Sequence, residues 1–256
     1  MTAVTDPNRL LALDGRVAIV TGASSGLGER FVRVLLAAGA SVVAVARRTE
    51  RLAELEAASD RVLAVPADVA VPEQVERIVP AALERFGRVD VLVNNAGLGR
   101  PAPAVTEDLD SFRYTLEVNL VGSFHLARLA AVPMIEAGAG SIVNISSVLG
   151  LVAAWPIPDA SYSSSKAALV GLTRDLACQW AGKGVRVNAL APGFFPSEGT
   201  ADMTDEASQR YLRTGCPMRR MGRPEELDGP LLFLASDAST YMTGQVLTVD
   251  GGWTAH

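Results

Sequence analysis

Tyr162 and Lys166 stand four residues apart in a segment of helical pattern, so both side chains project from one face. A free phenol titrates near ~10, too high for an easy proton acceptor at neutral pH. A lysine ammonium ~4 Å away, at an effective dielectric of ~20, favours the phenolate by ~4 kcal/mol, about three pKa units before screening. The pair is thus sufficient for acid/base work. Asn119 lies on the inward stripe that Phe112, Leu116, Leu120 and Ser123 define on an earlier helix. A buried amide left unpaired costs ~1–3 kcal/mol, so Asn119 needs partners, and nearby backbone is one source of them.

A second constellation is Thr21-Gly22-Ala23-Ser24-Ser25-Gly26-Leu27-Gly28, which joins an apolar run to a helical one. Glycines there let the backbone turn tightly and approach a pyrophosphate, held by the free amides and the positive end of the helix dipole. Three glycines before a helix also make a plain tight turn, but the place after a strand favours a nucleotide.

The elements that must carry these groups alternate. Arg16 to Thr21 is a short β-branched run of buried-strand type, and from Gly26 the period becomes helical, with Leu27, Phe31, Val34, Leu35 and Ala38 on one face and Gly39 as the stop. Strands follow at 41–46, 62–65, 89–93, 141–145, 185–190 and 245–249. Helices are predicted at 49–58, from Pro72, at 106–134, at 161–180 and at 225–234. Strands separated by helices of this length mean right-handed crossovers: an α/β, Rossmann-like, doubly wound parallel sheet of about seven strands with helices on both faces. No Pro/Gly/Ser-rich linker breaks the alternation, so residues 1–256 are expected to form a single domain, with residues 1–14 as a tail. Pro192 to Pro224 is the one long irregular stretch, and it is expected to be a mobile lid over a substrate.

Composition narrows the classes. In 256 residues, 23 basic and 28 acidic side chains leave a net charge of −5, which argues against nucleic-acid binding. Cys178, Cys216, His125 and His256 are too few and too scattered for a metal site or a disulfide framework. With no signal-peptide pattern at the start and no uncharged run of membrane-span length, a cytoplasmic protein without a membrane partner is expected. His125 and Cys178 read as packing residues, and Cys216 as an exposed lid residue without a signal for reactivity. Arg219, Arg220 and Arg223 read as a solvated face with local salt bridges.

The glycine loop, Asn94-Asn95-Ala96-Gly97 after the fourth strand, Tyr162-Ser163-Ser164-Ser165-Lys166, Pro192-Gly193, and the closing Thr243-Gly244-Gln245 and Val249-Asp250-Gly251-Gly252 come in the order of the single-domain short-chain dehydrogenases/reductases, which this chain resembles from Gly15 to Gly252. The resemblance implies hydride transfer between nicotinamide and a carbonyl or secondary alcohol. Tyr162 is then the acid/base, and Lys166 also holds the nicotinamide ribose. Ser147, preferred over Ser146 because two apolar residues and a glycine follow it, would bond the substrate oxygen. Asn119 would hold a water that links to Lys166.

Cofactor contacts are expected from Gly22, Ser24, Ser25, Gly26, Leu27 and Gly28, from the pair Asp68-Val69, from Asn95, Ala96 and Gly97, and from Pro192, Gly193 and Phe195. The second strand ends on Ala46 with Arg47 and Arg48 next, and no acid stands before Glu50 to bond the adenosine ribose. That favours NADP over NAD, although Ser25 occupies the loop position where NADP enzymes of the family often carry a basic residue. Val148, Leu149, Trp155, Phe194 and Gly199 are the expected substrate-facing residues and predict an apolar pocket. The expected function is an NADPH-dependent ketone or 3-oxoacyl reductase. The alternatives are an NAD(P)-dependent alcohol dehydrogenase acting on a cyclic diol, sugar or steroid, and a nucleotide sensor without turnover. The family resemblance also implies a homotetramer.

Overall fold

The computed structural model describes residues 6, 9–197, 200 and 206–255. Seven parallel strands, β1 (Val17–Thr21), β2 (Ser41–Ala46), β3 (Val62–Pro66), β4 (Val91–Asn94), β5 (Gly140–Ile145), β6 (Val185–Pro192) and β7 (Val246–Val249), lie in the order β3-β2-β1-β4-β5-β6-β7. The sheet is the Rossmann-like arrangement the alternation predicts. Side chains along β1 take opposite faces in turn. Ala18 and Val20 join Phe31, Leu35 and Leu231 in one core, while Val17 and Ile19 join Ile78, Leu126 and Met134 in the other. Both faces are apolar because helices cover both.

Order reverses between β1 and β4, which pair directly, Ile19 opposite Leu92. The carboxyl ends of neighbouring strands on either side of such a reversal leave a crevice, the usual ligand site of an open α/β sheet. The loops after β1, β2, β4, β5 and β6 all open on it.

Helices α1 (Gly26–Ala37), α2 (Thr49–Ala57) and α7 (Ala160–Trp180) fall close to the predicted ranges. The expected helix at 106–134 differs in detail. Thr106 belongs to a turn bonded to Pro103, and α5 (Leu109–Leu116) starts where Asp108 caps the amide of Ser111. A π-helical turn, Glu117–Val121, then leads into α6 (Gly122–Glu136). The helix expected from Pro72 is two pieces, α3 (Pro72–Val75) and α4 (Ile78–Phe86), the second stopped by Gly87 at φ 78°. By length and composition, Leu109–Glu136 is long and apolar enough to cross a membrane, yet Leu126, Ala130 and Met134 are buried against the sheet, as in a core helix.

The 192–224 stretch, expected to be irregular, carries a helix among its described residues. Helix α8 (Glu206–Gly215) lies within it, and Tyr211 on α8 packs against Trp253 with ring centroids 5.0 Å apart. Phe194 completes the cluster, 4.7 Å from Trp253 and 5.8 Å from Tyr211. The aromatic spacing that pins α8 is invisible beside the Gly and Pro residues that dominate this part of the sequence. A short turn, Pro224–Leu227, precedes α9 (Asp228–Ala235). The two cysteines exchange their expected places: Cys178 is exposed, and Cys216 is buried with Sγ 3.5 Å from the carbonyl of Gly251. Arg220 and Arg223 pair with Glu226, as a solvated ionic face would.

Candidate active site

A cavity of about 960 Å³ runs along the carboxyl ends of the strands, from β2 to the loop after β6. At one end the glycine loop closes on itself. Gly22 has φ 68°, and a Cβ on Gly28 would lie 2.1 Å from the carbonyl oxygen of Gly22, so no side chain fits there. Asn95 locks the loop from the side, its Nδ2 donating to the carbonyl of Thr21 at 2.9 Å while Thr21 Oγ1 accepts from the amides of Asn95 and Ala96. This bare backbone at the start of α1, with Ser24, Ser25, Gly26 and Leu27 on the cavity wall, fits a pyrophosphate.

The two arginines after β2 behave differently. Arg48 donates from Nε to Ser24 Oγ at 3.0 Å and from Nη2 to Ser25 Oγ, so its guanidinium lies on the glycine loop. Arg47 turns the other way, 3.7 Å from Asp68 and 3.4 Å from the Tyr114 hydroxyl. Asp68 also accepts the amide of Ala70, and Val69 lines the wall beside it.

The chemical groups gather at the other end. Ser146 and Ser147 diverge after β5: Ser146 Oγ donates to the carbonyl of Lys166 at 2.9 Å, whereas Ser147 lines the cavity on the side of the Tyr162 phenol. Ser147 also caps the turn Val148–Gly150 by accepting the amide of Leu149 at 3.1 Å. On α7, Asp159 caps the first turn by accepting the amide of Tyr162 at 3.2 Å.

Lys166 is 3% exposed, and its Nζ donates to the carbonyl of Ile145 at 2.8 Å. Burial pulls its pKa down from 10.5 to about 8. Nζ stands 5.6 Å from the centre of the Tyr162 ring. Burial dominates and raises the phenol, Ser147 opposing and Asp159 adding to the rise. Burial thus acts on the phenol in the sense opposite to the one expected from Lys166.

Asn119 sits in the π-helical turn and is fully buried. Its Nδ2 donates to the carbonyl of Leu98 and to Ser165 Oγ, and its Oδ1 accepts the amide of Leu98, all at 2.9 Å. Both amide hydrogens are spent on structure, which leaves one lone pair of Oδ1. A Cβ on Gly97 would be 3.1 Å from Lys166 Nζ and 3.3 Å from Asn119 Oδ1, so Gly97 keeps open the space between them.

Val148, Leu149, Phe194, Phe195, Pro192 and Gly193 line the cavity as expected. Trp155 does not: it is 79% exposed, and its neighbours Ala154 and Ile157 form the wall instead, because the loop turns the indole outward. Gly199 lies outside the described residues. The sequence reading missed Asp159, Leu98, Gly99 and Tyr211, all of which line the cavity. Only Asp159 carried a usable signal, as an acid directly before the helix of Tyr162.

A nucleotide cradle at the reversal of a parallel sheet, with a serine–tyrosine pair and a buried lysine beside it, defines a dinucleotide-dependent oxidoreductase. Residues 22–254 match the family model described as enoyl-(acyl carrier protein) reductase. The chain is 37% identical over 247 residues to a 3-oxoacyl-[acyl-carrier-protein] reductase of Thermotoga maritima, covering 94% of this chain and 99% of the relative. It is 40% identical over 253 residues to a galactitol 2-dehydrogenase (L-tagatose-forming) of Cereibacter sphaeroides, covering 97% and 99%. Among solved structures, a gluconate 5-dehydrogenase of Burkholderia cenocepacia in complex with NADP and tartrate superposes with a TM-score of 0.92 at 37% identity, covering 97% of this chain and 98% of that one. The chain belongs to the short-chain dehydrogenase/reductase family and is an NAD(P)-dependent oxidoreductase acting on CH–OH or C=O groups.

Proposed function

We propose that this chain is an NADPH-dependent carbonyl reductase of one domain, and the observation that carries it is the cavity that joins the Arg48-covered glycine loop to Ser147, Tyr162 and Lys166. A phenol that burial pushes up stays protonated at neutral pH and can donate. In this reading the Ser147 hydroxyl and the Tyr162 phenol hold the substrate carbonyl oxygen between them, and Tyr162 passes its proton to that oxygen. Bound NADPH supplies the hydride that reaches the carbonyl carbon. Lys166 holds the nicotinamide ribose hydroxyls and places a positive charge behind the phenol. Asn119 acts as a positioning residue: it fixes the Leu98 loop and offers its remaining Oδ1 lone pair toward the space beside Lys166 Nζ.

Arg48 with Ser24 and Ser25 supports the preference for NADPH, since a guanidinium flanked by two hydroxyls suits a phosphate on the adenosine ribose. A solved relative from Burkholderia cenocepacia holds NADP, which agrees with that choice. Asp68, Val69, Asn95 and Ala96 would hold adenine and ribose, and Pro192, Gly193 and Phe195 the nicotinamide end. Val148, Leu149 and Phe194 would face a ketone of medium size or an acyl chain.

Oxidation of a cyclic diol or sugar is the second reading, favoured by relatives such as the galactitol dehydrogenase. It uses the same residues in the opposite direction, with Tyr162 as the proton acceptor. We further propose a cytoplasmic homotetramer, supported by Val121, Phe124 and Val132, which are 41–54% exposed along one helical run. Steady-state rates with NADPH and NADH over a panel of ketones, and with NADP and NAD over the matching alcohols, test the reading. Faster reduction with NADPH at neutral pH supports it, and turnover confined to alcohol oxidation with NAD overturns it.

A further inference from the structure

Asp159 stands at the chemical end of the cavity with half of its carboxylate committed. Oδ1 caps α7, accepting the amide of Tyr162 at 3.2 Å and the hydroxyl of Ser161 at 3.4 Å. Oδ2 accepts no hydrogen bond among the described residues, although Asp159 is only 8% exposed and lines the cavity. A Cβ on Gly99 would lie 2.8 Å from this Oδ2 and 3.3 Å from Cδ2 of the Tyr162 ring. Asp159 Oδ2 and the Tyr162 ring thus flank one small space, and the missing side chain of Gly99 keeps it open. The bridge between Ala102 and Asp159, with the Ala102 amide on the Pro158 carbonyl at 2.9 Å, holds the two loops in that relation.

The charge around this oxygen is uncompensated. No ion pair involves Asp159 or Glu107 among the described residues, and Glu107 presents a buried Oε1 without a partner. Burial raises the Asp159 carboxyl, and after the opposing bond from the Tyr162 amide the next influence is repulsion from Glu107. The cations on the neighbouring segments are engaged elsewhere. Lys166 Nζ donates to the Ile145 carbonyl, and Arg100 is stacked over Tyr114 at 5.3 Å with a hydrogen bond to Ser111. A buried carboxylate with an open oxygen gains most from a hydrogen-bond donor or a cation, and a second anion placed there costs most.

We propose that Asp159, backed by Glu107, selects substrates: its Oδ2 receives a hydrogen-bond donor of the substrate, a hydroxyl or an ammonium group, beyond the carbonyl that Tyr162 serves, and it turns away substrates carrying a carboxylate there. The proposal rests on the carbonyl-reductase reading for its chemistry. It divides the substrates of the family's relatives, setting neutral polyols and amino ketones against sugar acids.

The test uses the whole protein, NADPH and three cyclohexanones that carry a hydroxyl, an ammonium or a carboxylate group opposite the carbonyl. The ratio of kcat/KM for the ammonium ketone to that for the carboxylate ketone is expected to exceed about tenfold, with the hydroxyl ketone also ahead of the carboxylate. Asp159→Asn keeps a good helix cap and is expected to shrink the ratio by about tenfold. Glu107→Gln, which caps nothing, shrinks it by a smaller factor and carries the test if Asp159→Asn does not fold. A parent that prefers the carboxylate, or variants with the parent's ratio, overturn the proposal. If no ketone is turned over with either nicotinamide, the reductase reading falls by itself. Selection is then read by calorimetric titration of the NADPH-treated protein with cyclohexylammonium and cyclohexanecarboxylate: tighter ammonium binding that Asp159→Asn removes supports the proposal, and equal binding overturns it.

Discussion

Arg48 reaches back over the glycine loop and donates from Nε to Ser24 Oγ at 3.0 Å, while Arg47 beside it faces Asp68. Consecutive arginines in extended backbone point apart, and only one of them meets the loop. Arg48→Ala is therefore expected to lower the preference for NADPH over NADH by about 10–100-fold, the size of a charged hydrogen bond to phosphate. Arg47→Ala, whose side chain is 66% exposed, is expected to change it by only a few-fold. Ratios of kcat/KM for the two cofactors decide this, and a larger effect at Arg47 would reverse the assignment.

Gly28 has no room for a methyl group, because backbone rather than a pliable side chain stands at 2.1 Å. Gly28→Ala is expected to lose about 1–3 kcal/mol of stability or more and to weaken NADPH binding. Urea unfolding and fluorescence titration with NADPH check the two parts separately. Unchanged binding would mean that the loop is not the pyrophosphate cradle.

Lys166 contributes a pH signature. Its folded pKa of about 8 lies below the ordinary 10.5, so between those values the unfolded chain holds more protons than the folded one, and stability rises with pH across that window. The full cost, roughly 3 kcal/mol, applies below about 8. Lys166→Met carries no such titration. The stability of the parent relative to this variant should therefore improve as pH rises from about 7 to about 10, as read by urea midpoints. A difference that stays constant with pH would show that the lysine is not desolvated.

Asn119 holds both backbone groups of Leu98. Asn119→Ala leaves them unpaired and is expected to cost about 1–3 kcal/mol and to reduce kcat, since the Leu98–Gly99 loop borders the chemistry. A variant with unaltered stability would contradict the structural part of this role.

Much of this was legible in the sequence because parallel strands buried on both faces read as continuous apolar runs, and the glycine loop and the Tyr162–Lys166 spacing are local patterns. What escaped depends on contacts between distant segments. The π-helical turn at Asn119 leaves no mark in the helical period. Helix α8 hides among Gly and Pro residues and is pinned by Trp253, about forty residues further on. Trp155 has the composition of a pocket wall, but the path of its loop turns the indole to solvent. Burial, a property of the whole fold, raises the Tyr162 phenol, an influence that its spacing to Lys166 does not show.

The central claim is that Tyr162 delivers the proton in a nicotinamide-dependent reduction. Tyr162→Phe removes one oxygen from a well-packed helix, so the variant should fold and bind NADPH with little change while ketone-dependent NADPH consumption falls by about 10²–10⁴-fold. Parallel measurement of NADPH binding and of NADPH consumption in this variant tests the claim most directly. Binding retained with turnover lost is the predicted result, and turnover near that of the parent would contradict it.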